Sequence, residues 1–151
     1  MTLEYCQYSS RYDKFRQGEI LNAFRPELAN GAIMDIGVYP IYMLVQLFGM
    51  PKDIKSFSTK LENGFEGDGI VLMQYEEMVA EAVYSKITES VNPSVFLGED
   101  ARSFWIMSVF PKRLKFVTET GARKKSHIRQ QRREKTDVWI ICSLRWRDLH
   151  V

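Results

Sequence analysis

The hydrophobic period of the chain changes at Pro51. Over residues 32–48 the apolar side chains Ile33, Ile36, Ile41, Leu44, Val45 and Phe48 recur at spacings of three and four, which predicts a helix with one buried face. Gly49 supplies a stop, and Pro51 cannot continue the helix. Beyond Pro51 the period is two. Residues 54–61, 70–75, 79–88, 94–97, 103–109 and 113–118 alternate and are rich in β-branched and aromatic side chains, with polar punctuation such as Asn63-Gly64, Gly67-Asp68-Gly69 and Asn92-Pro93 between them. Successive strands joined by short polar turns predict a mostly antiparallel sheet. Ahead of the helix, residues 3–9 read as a further strand. Residues 11–24 mix charge with aromatics and read as a loop holding at most a helical turn, and residues 26–31 carry turn chemistry. The expected class is α+β, an open, mostly antiparallel sheet covered on one face by the helix.

The 151 residues and 17.7 kDa fit one domain with at most a tail, and 45% hydrophobic with 26% charged residues excludes a fully disordered chain. The net charge of +2 hides an uneven distribution. Acids outnumber bases over residues 1–121, whereas Arg123, Lys124, Lys125, Arg129, Arg132, Arg133 and Lys135 face only Glu134. The expected organisation is therefore a folded domain over residues 1–121 and a basic tail over residues 122–151, poorly packed on the sheet, with a short apolar run at 138–144. The basic run lacks interleaved aromatics, so a solvated segment is expected rather than a nucleic-acid partner.

Cys6 and Cys142 form no C-x-x-C pair, which predicts two reduced thiols. Glu4 arrives early and no apolar leader follows, so the expected compartment is the cytoplasm. The longest apolar stretch, residues 38–50, falls short of the roughly 20 residues that span a bilayer, and no membrane partner is expected. His127 and His150 have no Cys, Asp or Glu at ligand spacing, and no metal site is expected.

The chemistry concentrates on the helix. Asp35 and Tyr39 are four residues apart and share a helical face. Asp35 lies among Ile33, Met34 and Ile36, a costly place for a carboxylate without partners or solvent. Pro40 removes a helical N–H and crowds the Ile36 carbonyl, and Gly37 lies between, so an irregular turn is expected at the level of Tyr39. Spacing alone leaves two readings open, a helix carboxylate beside a core tyrosine and a reactive pair.

The segment GAIMDIGVYPIY (residues 31–42) resembles the D-x-G-x-[HY] helix of the glucose–fructose oxidoreductase and inositol dehydrogenase (Gfo/Idh/MocA) family. The segments YSSRYDKF (8–15), NAFRPE (22–27), LFGMP (47–51) and VFLGED (95–100) resemble its dihydrodiol and sugar dehydrogenase branch, in the right order over residues 2–120. The resemblance implies the family's second domain, an open sheet that carries the D-x-G-x-[HY] helix and commonly forms the subunit interface. It also implies NAD(P)-dependent oxidation or reduction of a sugar, polyol or dihydrodiol-type alcohol. Tyr39 would be the proton donor or acceptor and Asp35 would orient it or the substrate. The cofactor supplies the hydride chemistry, and a lysine from the family's first domain would lower the tyrosine's pKa from the usual value near 10.

The family's first domain is a Rossmann fold with a glycine fingerprint. Here the only G-x-G, Gly67-Asp68-Gly69, falls in an expected hairpin turn and meets Leu72 where a third glycine belongs. The chain alone is therefore expected to bind NAD(P) poorly, with a separate Rossmann domain as a possible partner.

Arg11 and Tyr12 are carried as substrate-binding candidates. An arginine here would hold a substrate hydroxyl or cofactor phosphate, or would form a surface ion pair with Asp13 or Glu19. Trp105, Phe104 and Phe110 read as core or sheet-interface residues. An alternative function is a non-catalytic association module that dimerises through the bare sheet face, lined by residues such as Val71 and Met73 or Phe104 and Ile106.

Overall fold

The computed structural model describes residues 1–97 and, beyond them, the backbone of the strands Arg102–Trp105, Leu114–Thr118 and His127–Gln131. The chain opens with β1 (Thr2–Cys6) and a short α1 (Arg11–Arg16). Two tight turns, Asn22–Phe24 and Pro26–Leu28, lead to a π-helical turn over Ile33–Gly37, which runs into α2 (Val38–Phe48). Strands β2 (Asp53–Lys60), β3 (Glu66–Gln74), β4 (Val79–Ser85), β5 (Ser94–Leu97) and β6 (Arg102–Trp105) follow. With β1 they form one six-stranded sheet in the order β2-β3-β4-β1-β5-β6. The class is α+β and the sheet is mostly antiparallel, as the hydrophobic pattern implies. β1 is the exception: it lies parallel to β4 and antiparallel to β5. A further pair, β7 (Leu114–Thr118) and β8 (His127–Gln131), forms its own antiparallel ribbon, so part of the segment expected as a basic tail is paired with the chain before it.

Register explains the core. Leu3, Ala82 and Val71 are lateral neighbours on adjacent strands, as are Tyr5, Tyr84 and Gly69. These side chains face the helix and meet Ile36 and Leu44. Ala80 and Ala82, fully buried, leave the depth that Leu44 fills. Burying a side chain such as Leu3, Leu44 or Met73 stabilises by about 1.5–3 kcal/mol each.

The alternation of β3 lands on the opposite face from the one expected for an interface. Val71 and Met73 belong to the core, and Ile70 and Leu72 occupy the open face. A period of two separates the faces of a strand but does not say which of them the helix covers. β3 also begins at Glu66, so Gly67 and Gly69 lie within a strand and not in a hairpin turn. The helical turn allowed for in the loop at 11–24 is the six-residue helix Arg11–Arg16, too short to display a helical period in the sequence.

By length and composition alone Pro26–Phe48 is apolar enough to cross a membrane. Its inward positions Ala32, Ile36, Pro40 and Leu44 are buried in the fold. Expectations for Cys142, His150, Phe110 and the 138–144 run, and for the side chains of Phe104, Trp105 and His127, lie outside the described residues.

Gly37 sits directly over the Tyr84 ring. A Cβ at this position would lie 3.0 Å from two ring carbons and 3.3 Å from Ile33. Gly37→Ala is therefore expected to lift the π turn from the sheet and cost about 1–3 kcal/mol, the usual range for overpacking. A urea unfolding midpoint equal to that of the wild type would contradict this contact.

Candidate active site on the broken helix

The irregular turn expected at Pro40 is the π-helical turn Ile33–Gly37, with Pro40 in the first turn of α2, where a missing N–H is tolerated. The turn leaves Asp35 and Tyr39 outward on the same segment. The Tyr39 side chain is 56% exposed, which rules out the core-tyrosine reading. Its ring meets the edge of Tyr5 at 5.6 Å between centroids. Its hydroxyl has no hydrogen-bond partner among the described residues. Tyr5, half of the pair, is buried on the helix face. Burial holds its phenol protonated above the ordinary tyrosine range, and Tyr39 and Asp35 push the same way.

Asp35 finds its partner on the sheet. Its Oδ2 forms an ion pair with Nζ of Lys86 at 3.0 Å. Lys86 follows β4 directly, and its side chain is only 4% exposed. The same ammonium donates to the carbonyls of Ala23 and Asn30, each at 3.1 Å, and lies 5.4 Å and 5.1 Å from the ring centres of Phe24 and Phe65. The Lys86 backbone is fixed on both sides, donating to the Gly67 carbonyl and accepting from the Ser9 amide. Sequence reasoning missed this lysine. Lys86 reads as one more solvent-facing position at a strand end, and two of its three partners are backbone carbonyls more than fifty residues away.

A cleft of about 280 Å³ opens between the β1–α1 connection and the π turn. Ser9, Ser10, Arg11, Asp35, Ile36 and Lys86 are among its walls. Arg11 lines it and makes no ion pair among the described residues; Glu19 pairs instead with Lys14, and Asp13 accepts from the Tyr8 hydroxyl. Tyr12 faces elsewhere, against Phe15, Phe24 and Tyr8. A depression of similar volume, about 300 Å³, lies between Ile20, Arg25, Pro26, Glu27 and Asn63. Neither Asp35 nor Tyr39 lines it. Among the described residues no group of three His, Cys, Asp or Glu side chains is placed to hold a metal ion.

A dinucleotide requires a glycine-rich turn that opens a helix N-terminus. Gly67 and Gly69 do not supply one. A Cβ on Gly67 would meet the Ile87 side chain, and one on Gly69 would meet the Tyr84 hydroxyl, so both glycines are packing positions inside β3. Gly67 and Gly69 therefore do not form a dinucleotide-binding turn.

Two groups on the sheet, the half-buried Cys6 and the buried Tyr84, carry a pH signature. Burial pushes the Cys6 thiol up to about 11, with Glu4 adding to it. Burial also holds the Tyr84 phenol well above the tyrosine range, aided by Glu66, which accepts its hydroxyl at 2.7 Å. In the unfolded chain these groups ionise first. Above the ordinary thiol value of 9.0 the folded state therefore holds more protons than the unfolded state, and stability falls as pH rises. The urea midpoint is expected to stay flat up to about pH 9 and to decline through about pH 11. A midpoint that rises over that window would contradict these burials.

The fold and site together define an α+β domain that presents a carboxylate and a free phenol from one helix. The model of the GFO/IDH/MocA C-terminal domain matches residues 4–102, and the chain belongs to this family. It is 54% identical over 99 residues to the scyllo-inositol 2-dehydrogenase (NADP(+)) IolU of Bacillus subtilis (strain 168), a match covering 66% of this chain and 30% of that protein. It is 42% identical over 95 residues to the uncharacterized oxidoreductase YgjR of Escherichia coli (strain K12), covering 63% and 29%. The matched region thus spans about 30% of these curated relatives. Among solved structures, the "putative oxidoreductase yvaA" of Bacillus subtilis superposes with a TM-score of 0.61 at 17% identity, over 87% of this chain and 41% of that one. A "putative oxidoreductase" of Klebsiella pneumoniae gives 0.60 at 14%, over 87% and 40%. At that identity the likeness is one of fold.

Proposed function

We propose that this chain is the substrate-side domain of an NADP-dependent oxidoreductase acting on a polyol or sugar alcohol. In this reading Tyr39 exchanges the proton of the reacting hydroxyl or carbonyl, and Asp35 orients the substrate. The observation that carries it is the pairing, on one helix segment, of an exposed phenol whose hydroxyl has no partner among the described residues and a carboxylate beside a polar cleft. The name of the Bacillus relative supports a cyclic polyol as the first substrate to test. In the oxidation of an alcohol the hydroxyl proton must be taken up, and Tyr39 Oη is the group offered for it. Asp35 and Arg11 supply an acceptor and a donor for neighbouring hydroxyls. The dinucleotide would be held by another domain, and the chain by itself would not turn over.

The test is a chimera in which residues 4–102 replace the matching segment of the Bacillus dehydrogenase, assayed with NADP and scyllo-inositol. NADPH formation well above that of a chimera with Asp35 and Tyr39 both replaced supports the reading. A folded chimera that binds NADP but oxidises no polyol would overturn it.

Association through the open sheet face is a second property we propose. Phe57, Ile70 and Val83 are lateral neighbours on that face, and Phe57 is 68% exposed. A contiguous apolar row of this kind marks an interface. Light scattering is expected to give twice the monomer mass for the wild type and a shift to monomer for Phe57→Glu. A wild-type chain that remains monomeric at high micromolar concentration would contradict the interface.

A further inference from the structure

We propose that Lys86 is a positioning residue that fixes the Asp35 carboxylate for hydroxyl recognition without itself touching the substrate. The proposal deepens the functional reading and rests on Asp35 facing the substrate.

A lysine ammonium has three protons and no acceptor. Here two of them go to the Ala23 and Asn30 carbonyls, and the ammonium is ion-paired with Asp35 Oδ2. Lys86 forms part of the cleft wall, but its ammonium is held on the protein side by these three oxygens. The charge is also matched. A buried cation requires a counter-charge, and Asp35 is the only carboxylate paired with it among the described residues.

The consequence falls on Asp35. Its side chain is 54% exposed, and in water a carboxylate so placed samples several rotamers. The ion pair anchors Oδ2, while Oδ1 makes no hydrogen bond among the described residues. One oxygen is thus tied to the sheet and the other is presented as a free acceptor at a fixed place. The Ala23 and Asn30 carbonyls tie the β1–α2 connection to the same ammonium, so cleft wall and carboxylate share one anchor. Lys86 lies outside the motif of the helix and acts through Asp35.

The test uses the full 151-residue chain and nitrogen–proton spectra of lysine ammonium groups at near-neutral pH. Exposed ammonium protons exchange too fast to be seen there. One persistent ammonium signal is expected, assigned by its loss in Lys86→Arg. Asp35→Asn should shift this signal and speed its proton exchange at least about tenfold, with backbone amide shifts changed only near the π turn, since Asp35 is half-exposed and its loss spares the core. The Asp35 β-proton couplings should report one rotamer in the wild type, averaging in Lys86→Met, and a single rotamer again in Lys86→Arg. A purely structural lysine would leave the Asp35 rotamer unaffected.

Absence of a persistent ammonium, or a signal unmoved by Asp35→Asn, overturns the proposal. If Lys86→Met does not fold, the Asp35→Asn shift and the Lys86→Arg couplings decide it. These readouts need neither cofactor nor substrate. An inactive chimera with an intact Lys86–Asp35 coupling would sink only the functional reading. An active chimera whose Lys86 is uncoupled from Asp35 would sink only this proposal.

Discussion

Lys86→Met is expected to destabilise the folded chain by about 2–6 kcal/mol, because it leaves two carbonyls without their donor at about 1–3 kcal/mol each. Methionine keeps nearly the same length and volume between Phe24 and Phe65, so the loss is polar and not a cavity. Asp35 contributes little to the cost, because it is half-exposed and recovers water. The Ala23 and Asn30 carbonyls lose a charge-assisted donor, and a buried acceptor left unpaired costs about 1–3 kcal/mol. Asp35→Asn should cost less, since an amide oxygen still accepts from the ammonium. Urea unfolding measures both. A loss below about 1 kcal/mol for Lys86→Met would mean that water reaches those carbonyls and that the ammonium is not their donor.

Tyr39→Phe in the chimera is expected to lower kcat by about 10²–10⁴, the range for losing a positioned acid–base group. The phenylalanine ring keeps its edge contact with Tyr5, and the exposed hydroxyl it lacks bonds no group among the described residues. Folding stability should therefore stay within about 0.5 kcal/mol, as for a surface substitution. KM should change little, because ground-state recognition falls to Asp35 and Arg11. A loss confined to KM would assign Tyr39 to binding alone. An unchanged kcat would remove it from the chemistry.

The parts of this molecule that depend on local pattern are legible in its sequence. The spacing of Ile33, Ile36, Leu44 and Phe48 announces the helix, and Gly37 with Pro40 announces its irregular turn. The strand at Ser94–Leu97 is read to the residue. Asp35 and Tyr39 stand out because a carboxylate among isoleucines needs a reason. What the pattern withholds is long-range. β1 takes the middle of the sheet, parallel to a strand some eighty residues away, and nothing in its five residues selects that neighbour. The covered face of β3 depends on the same docking, which is why Val71 and Met73 changed sides from expectation. Lys86 is invisible for a related reason. Its partners come from two connections and a helical turn, brought together only when β4 lies beside β1.

The glycines add a second lesson. Gly67 and Gly69 carry half of a phosphate-binding signature, yet Ile87 and the Tyr84 hydroxyl occupy the space their missing side chains leave. Gly37 does similar work on the helix, where its bare Cα lets the π turn settle on the Tyr84 ring. Tyr84, through its ring against Gly37 and its hydroxyl on Glu66, links the sheet to the turn that carries Asp35.

The most direct test of the account is a double-mutant cycle on Asp35 and Tyr39 in the chimera, reading kcat/KM for scyllo-inositol with Asp35→Asn, Tyr39→Phe and both together. Groups that act as a unit on one reacting hydroxyl are not additive. The account predicts that the double variant is scarcely slower than the worse of the two single variants. Effects that multiply, or singles that leave kcat/KM unchanged, would contradict the claim that Asp35 and Tyr39 form one site.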